Sequence, residues 1–408
     1  MKAIAYQNAG PLGRQDALVD VILETPAATG RDLLVEVRAI SVNPVDAKTR
    51  RNVSPEMGAW KVLGWDAVGR VVAVGETVKK FRVGDEVFYA GSLTRSGANA
   101  EFHLVDERIV GLKPTSLTDA EAAALPLTAI TAWEMLFDRL DIRRPVPGAA
   151  PAILIIGGAG GVGSIAIQLV RALTDHSVIA TASRPETHAW VRQLGAHYVI
   201  DHSIPLAEQV AALEIGAPAF VFSTTETRRH LTEIVELIAP QGRFGLIDDA
   251  DGVDISGFKR KSVSIHWEFM FTRSMFETAD IDEQGKLLNE ITKLIDAGVI
   301  RTTLTEVITP ISAANLKLRR GRVWLALIAS CAARHIALPR RLATVFYRRR
   351  GKRSVGMDPL PVRPEGSTAV MEQMQSAARQ SVISSRKVLR LARTKDQGLF
   401  SSAMSRCP

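Results

Sequence analysis

Gly158, Gly160 and Gly163 stand in GxGxxG register within residues 152–170, AILIIGGAGGVGSIAIQLV. An apolar run at 153–156 breaks into these glycines, and Ile165, Ile167, Leu169 and Val170 resume at helical spacing. Such a pattern reads as a buried strand, a tight turn and a helix start. The first glycine permits the turn, the second lets the backbone approach a pyrophosphate, and the third lets the helix pack against the strand. Free N–H groups at the helix start, with Gly161 and Val162 between the last two glycines, then point at the phosphates. The chemistry implied is dinucleotide binding. A carboxylate about 20 residues beyond the glycines would take a ribose 2′-OH and favour NAD. Ser183 and Arg184 stand there instead, with no acid before Glu186. A hydroxyl and a guanidinium suit a 2′-phosphate, so the expected cofactor is NADPH.

The elements that must position this loop are legible around it. Apolar runs at 153–156, 177–182, 197–200, 220–222 and 243–247 alternate with helical segments, which predicts a doubly wound parallel sheet. The first hundred residues behave differently. Short β-rich runs at 33–37, 69–74 and 82–89 are separated by turns without βαβ rhythm, so an antiparallel or barrel-like domain is expected. TDAEAAAL at 118–125 carries an N-cap Thr118 and an acidic first turn. A Pro-rich joint at 144–151 leads into the nucleotide fold. GKLLNEITKLIDAG at 285–298 predicts an amphipathic helix ending in a glycine cap, followed by a return segment at 302–317.

With 408 residues, 46% of them hydrophobic, the chain can build two cores. The net charge of +8 is unevenly spread: residues 318–408 hold 19 Lys/Arg against 4 Asp/Glu, a net of +15, whereas 1–317 carries a net of −7. Both cysteines, Cys331 and Cys407, also lie in the tail. The body therefore holds neither a disulfide framework nor a thiolate metal site. Apolar runs are too short to span a bilayer and the N-terminus lacks a secretory h-region, so a soluble, cytoplasmic protein is expected, with no membrane partner.

The order of these parts resembles the medium-chain dehydrogenase/reductase superfamily, and within it the quinone oxidoreductases and zinc-type alcohol dehydrogenase-like proteins. The resemblance is carried by SVNPVDAKTR (41–50), GWDAVGRVVAVG (64–75), FRVGDEVF (81–88), LPLTAITAWEMLF (125–137), IIGGAGGVGS (155–164) and HWEFMFTRSMF (266–276). It covers residues 1–317. It implies an α/β chain with a GroES-like β-rich catalytic domain (1–125, with a return segment 270–317) and a doubly wound Rossmann NADPH-binding domain (126–269). It also implies a homodimer. Thr131 matches a position near the nicotinamide end of the cofactor, and Asn43 and Asp46 match a segment facing the substrate cleft.

Zinc enzymes of the superfamily hold their metal through an early Cys, the His of a GHE motif and a later Cys or acid. Here Asn43–Pro44 stands in the region of the Cys, and the GHE position reads Gly64–Trp65–Asp66. No metal site is expected. Without a Lewis acid a simple ketone is hard to polarise, whereas a quinone or α,β-unsaturated carbonyl accepts hydride while spreading charge onto an oxygen. Asn43 is the leading donor for that oxygen and Lys48 the second. Asn-Pro is equally ordinary turn chemistry, and a lysine there equally a solvated one. Trp65, Trp267, Phe269 and Phe271 are candidates for an apolar acceptor pocket; the same aromatic residues also suit a core. The proton donor has no assignment, because residues 52–64 lack a Tyr. The expected activity is a zinc-independent, NADPH-dependent reduction of a quinone or enone. The alternatives are a zinc-type alcohol dehydrogenase-like alcohol/aldehyde oxidoreductase, or a non-catalytic NADPH-binding protein with a nucleic-acid-binding basic tail.

Beyond residue 317 the resemblance stops. A closing helix and strand would follow in the family; here basic runs follow, including Arg348–Arg349–Arg350. Residues 318–408 read as an atypical basic tail outside both domains, expected to be disordered. A change of reading frame accounts for the sharp edge, the charge reversal and both cysteines; a nucleic-acid-binding arm is the competing explanation. Loss of the closing strand would expose a sheet edge.

Overall fold

The computed structural model describes residues 1–317 and the backbone of the strand Leu325–Ile328. In the N-terminal half the long strand Asp32–Val42 organises everything else. Its side chains alternate, with Leu33, Val35, Val37 and Ile40 entering one buried cluster. It pairs antiparallel with Asp66–Val74, from Leu33 opposite Val74 to Ser41 opposite Asp66, with two irregularities that bend the pair. Along its other edge Asp32–Glu36 pairs with Phe102–Asp106, and Ala39–Val42 with Leu325–Ile328. Glu86–Tyr89 and Val110–Leu112 extend the sheet to seven strands. A smaller sheet joins Val19–Ile22, Lys2–Tyr6 and Lys61–Val62. All the pairings of this half outside Val307–Ile308 are antiparallel, as the absence of βαβ rhythm requires.

Leu325–Ile328 corrects the expectation that everything past 317 lies outside the fold. It runs antiparallel to Ala39–Val42 and parallel to Val307–Ile308, and so covers the edge expected to be open. The reason is physical: edge pairing uses backbone N–H and C=O groups, which the short run LALI supplies as well as any other strand sequence. The other expectations for the tail, including its basic runs, its disorder, nucleic-acid binding and the two cysteines, concern residues outside those described.

The transition to the second half is a pair of short helices. Thr118 and Glu121 form a reciprocal capping box at the start of Asp119–Ala123. Pro126–Trp133 follows and runs directly into a π-helical segment, Glu134–Arg139. Next comes a six-stranded, wholly parallel sheet. Its spatial order is Tyr198–Ile200, Ser177–Thr181, Ala150–Ile156, Pro218–Ser223, Arg243–Leu246 and Ser264–Trp267. Helices cover both faces, which is why Ile153, Leu154, Ile155, Phe220, Val221, Phe222 and Phe244 have no exposed surface. Ser264–Trp267 escaped the sequence reading: as an edge strand it is half exposed and shows no continuous apolar run. The helix Asp282–Asp296 ends near Gly298 at φ +70°, as the glycine cap predicts. Among the described residues no helix is long and apolar enough to cross a membrane.

Candidate active site

The parallel sheet reverses its winding between Ala150–Ile156 and Pro218–Ser223, and a ligand crevice opens beyond the carboxyl ends of strands at such a switch point. A cleft of about 860 Å³ lies there. Its floor comes from the strand ends: Gly160, Gly161 and Val162 after the first strand, Thr224 and Thr225 after the fourth, Ile247–Asp249 after the fifth and Glu268–Phe271 after the sixth. The β-rich half contributes the opposite wall with Asn43, Lys48 and their helix neighbours, together with Leu93.

The glycine loop is built tightly, with one difference from expectation. The sharp turn is taken by Gly157, at φ +80°, not by Gly158. A Cβ on Gly158 would meet the Cβ of Ala180 at 2.8 Å, so that glycine serves strand-to-loop packing. A Cβ on Gly163 would stand 2.4 Å from the Gly157 carbonyl oxygen, which fixes how closely the helix Gly161–Leu173 approaches the strand. The helix starts at Gly161 and its first intrahelical bond is Ser164 N–H to Gly160 O, so the N–H groups of Gly161, Val162 and Gly163 are left for a ligand. This cradle fits a pyrophosphate. Thr131 also lines the cleft, its hydroxyl donating to Leu127 O at 2.7 Å.

On the facing wall, Asn43 precedes the helix Pro44–Asn52 and is buried. Its Nδ2 donates to Asp66 Oδ2 at 2.7 Å, and Asp66 Oδ1 accepts from Leu127 N–H at 2.7 Å, at the start of the helix Pro126–Trp133. Asp46 accepts from Asn43 N–H (2.8 Å) and Gly64 N–H (3.0 Å). Burial pushes the Asp46 carboxyl up to about 7 and that of Asp66 to about 8, against the downward pull of those hydrogen bonds. Lys48 Nζ meets Asp249 Oδ2 at 2.7 Å across the cleft mouth, both side chains well exposed.

Residues 29–115 match the family described as alcohol dehydrogenase GroES-like domain, and residues 161–283 match the one described as zinc-binding dehydrogenase. A zinc-type alcohol dehydrogenase-like protein of Staphylococcus aureus is 39% identical over 318 residues, 78% of this chain and 94% of that protein. The chain belongs to the medium-chain dehydrogenase/reductase superfamily. Two solved structures of its members are similar to this chain. A putative zinc-dependent alcohol dehydrogenase protein from Rhizobium etli CFN 42 shares 61% identity at a TM-score of 0.80, covering 81% of this chain and 99% of that one. A quinone oxidoreductase from Pseudomonas syringae pv. Tomato shares 27% at 0.67, covering 80% and 99%. The superfamily's GroES-like half and Rossmann-type sheet are thus both present, and the chain is an oxidoreductase of this family.

Among the described residues no three His, Cys, Asp or Glu side chains gather as a metal site. Trp65 occupies the GHE histidine's place, and it is wholly buried: its Nε1 donates to Ser92 O at 3.1 Å and its ring meets Phe271 edge-to-face at 6.1 Å. Zinc does not fit these residues.

Three expectations need correction. Trp65 is core, not cleft lining, because an indole with one polar atom is satisfied by a single carbonyl and otherwise packs. Asp46 lies one helical turn after Asn43 and turns back to cap that turn, so it does not face the cleft. Trp267 points to solvent from the edge strand and does not line the cleft either, whereas Phe269 and Phe271 do. Ser183 and Arg184, expected at the cofactor's 2′-phosphate and not in the acceptor pocket, are exposed just beyond the strand Ser177–Thr181, with Arg184 paired to Glu186 at 3.2 Å. The residues that sequence reasoning missed, Asp248, Asp249 and Glu268 above all, follow the ends of the fifth and sixth strands. The rule that ligands gather at carboxyl ends of parallel strands would have flagged them.

Proposed function

We propose that this chain is a zinc-independent, NADPH-dependent reductase that passes a hydride to a quinone or an α,β-unsaturated carbonyl. The observation that carries the proposal is the juxtaposition, in one cleft, of a phosphate cradle, a buried amide donor and an apolar wall, with no metal donor set among the described residues. Gly160, Gly161, Val162 and Gly163 would hold the pyrophosphate through backbone N–H groups, and Thr131 would stand near the nicotinamide end. Ser183 and Arg184, exposed past the second strand, would meet a 2′-phosphate once Arg184 leaves Glu186, an exchange that costs little between two exposed side chains. NADPH when bound supplies the hydride. Asn43 commits one amide hydrogen to Asp66 and keeps a second for the oxygen on which charge develops. Phe269, Met270 and Phe271 keep water from that oxygen. The similarity to a quinone oxidoreductase supports the choice of acceptor.

Thermal stability with NADPH and NADH in parallel tests the cofactor. At about 100 times its dissociation constant a ligand adds about 2.7 kcal/mol, a readily measured rise in Tm. NADPH alone should produce it, and Arg184→Ala should remove it. Equal shifts with both cofactors would overturn the 2′-phosphate assignment. Quinone-dependent NADPH oxidation that survives exhaustive chelation supports the reaction; activity restored only by added zinc would refute it.

A further inference from the structure

The turn of the glycine loop is docked on one residue of the neighbouring strand. Thr181 ends the strand Ser177–Thr181; its carbonyl accepts from Gly158 N–H at 3.1 Å, and its hydroxyl oxygen accepts from Gly157 N–H at 2.9 Å. The same hydroxyl lies 3.1 Å from His202 Nδ1. Thr181 is wholly buried, and among the described residues its hydroxyl proton has no other acceptor. A ring with its proton on Nδ1 would leave that hydroxyl proton unsatisfied, so Thr181 donates and Nδ1 accepts. The ring proton then sits on Nε2, fixed there by the bond the other nitrogen makes. Nε2 has no partner among the described residues, and the ring is half-buried.

The sheet sets where this donor stands. Thr181 lies opposite Ile200, and Ala182 N–H donates to Ile200 O at 2.9 Å, so the chain leaving the strand Tyr198–Ile200 passes beside Ser183 and Arg184. That chain is braced: Gln209 holds both Asp201 N–H and Asp201 O, and the Asp201 carboxylate accepts from Ser203 N–H. Arg229, which lines the cleft, reaches Ser203 O with Nη2 at 3.4 Å. The charged and titratable groups around the ring are Arg184, His188 and Arg229, with Asp201 the one carboxylate. Burial first, and then those three neighbours, hold the imidazole below its usual range, so the ring is a neutral donor at neutral pH. An N–H donor among guanidinium groups, just past the second strand, is the surrounding that a 2′-phosphate requires.

We propose that His202, held by Thr181 with its proton on Nε2, donates to the cofactor's 2′-phosphate and sets the preference for NADPH together with Arg184 and Arg229. The inference rests on the NADPH reading and not on the choice of hydride acceptor. His202 touches the cofactor, whereas Thr181 is a positioning residue. Because Thr181 also holds Gly157 and Gly158, it keeps this donor in register with the pyrophosphate cradle.

The test uses the full chain and a pair of probes, adenosine 2′,5′-bisphosphate and AMP, which differ by the 2′-phosphate alone, titrated by calorimetry. Wild type should bind the bisphosphate more tightly. His202→Phe keeps a ring and removes the donor, so the affinity ratio should fall by about 10- to 150-fold, the weight of one charge-assisted hydrogen bond, with AMP binding unchanged. Nitrogen NMR of histidine-labelled protein reads the tautomer without any ligand: His202 should show a protonated Nε2 and a bare Nδ1. In Thr181→Val the tautomers should interchange and the ratio should drop, and Thr181→Ser should restore both. A proton on Nδ1 in the free wild type would overturn the lock. A ratio unchanged in His202→Phe would overturn the role of His202, and its loss in Arg184→Ala would then keep the NADPH reading alone. Equal binding of both probes to wild type would bring down the inference and that reading together. If NADPH reduces no quinone and the ratio still depends on His202, the acceptor reading fails and the inference stands.

Discussion

Gly163→Ala puts the cofactor cradle to a test whose sign is informative. Alanine in place of glycine inside a helix ordinarily stabilises by about 1 kcal/mol. At Gly163 the new methyl would sit 2.4 Å from Gly157 O, 2.8 Å from Gly158 Cα and 3.0 Å from Gly157 C. All three are backbone atoms, and none can swing away as a side-chain end would. The helix Gly161–Leu173 must retreat from the end of Ala150–Ile156 by on the order of 1 Å, an overpacking cost of about 1–3 kcal/mol. The retreat also turns the N–H groups of Gly161 and Val162 off their line. Each charge-assisted hydrogen bond to phosphate that is lost costs about 1.5–3 kcal/mol, or roughly 10- to 150-fold in affinity. Differential scanning calorimetry of the ligand-free protein should therefore show a Tm lower by several degrees, at about 2–4 °C per kcal/mol for a chain of this size. NADPH titration followed by fluorescence should show a Kd at least tenfold weaker. An unchanged or raised Tm with an unchanged Kd would refute the packing argument. A lowered Tm with an unchanged Kd would leave the packing intact and take the phosphates elsewhere.

Lys48→Ala and Asp249→Ala remove an exposed pair worth at most about 1 kcal/mol. Each should change acceptor KM by only a few-fold and equally, with no further change in the double substitution; a loss of kcat beyond about 100-fold in Lys48→Ala alone would put that ammonium on the substrate. Asp46 and Asp66 have folded-state values raised to about 7 and 8, so their contributions are fully present in acid and are lost as pH rises from the unfolded carboxyl range through those values. Wild-type stability in denaturant should fall between pH 5 and 8 by on the order of 1 kcal/mol per unit, and Asp46→Asn, which sets an amide against a backbone N–H, should be less stable by about 1–3 kcal/mol yet decline less steeply. Trp65→Ala should cost about 3–5 kcal/mol, with KM altered only through its neighbour Phe271; a raised KM at unchanged Tm would return Trp65 to the substrate.

The features that followed from periodicity were legible in the sequence. Ala150–Ile156, buried from Ala152 onward, and the wholly buried Pro218–Ser223 are parallel strands covered on both faces, so they announced themselves as apolar runs, and the glycines between strand and helix marked the cradle. Roles inside one motif were not legible. Asn43 and Asp46 lie three residues apart in NPVD, one facing the cleft and the other folded back onto the turn, because the helix start both exposes one side chain and needs an acceptor for its own N–H groups. Nor does any local pattern bring Glu134 to Arg273 or set Asp249 opposite Lys48. Those contacts are products of the sheet winding, and a sequence shows them only after the strand order is known.

Two buried carboxyl systems frame the cleft, and one segment links them. Asp66 holds the N–H of Leu127 near the start of the helix Pro126–Trp133, and Arg273 holds Glu134 where that helix becomes a π-helical segment. Thr131 lies between, so the cleft wall from the cofactor side to the acceptor side hangs on both. Asp66, Asp46 and Glu268 are all raised, meaning that the cost of burying each charge exceeds what its hydrogen bonds return. Proton loss therefore acts in one direction at every point of the frame. On the β-rich side the cleft wall is therefore held best from acid to neutral pH, and its support weakens as Asp46 and Asp66 lose their protons.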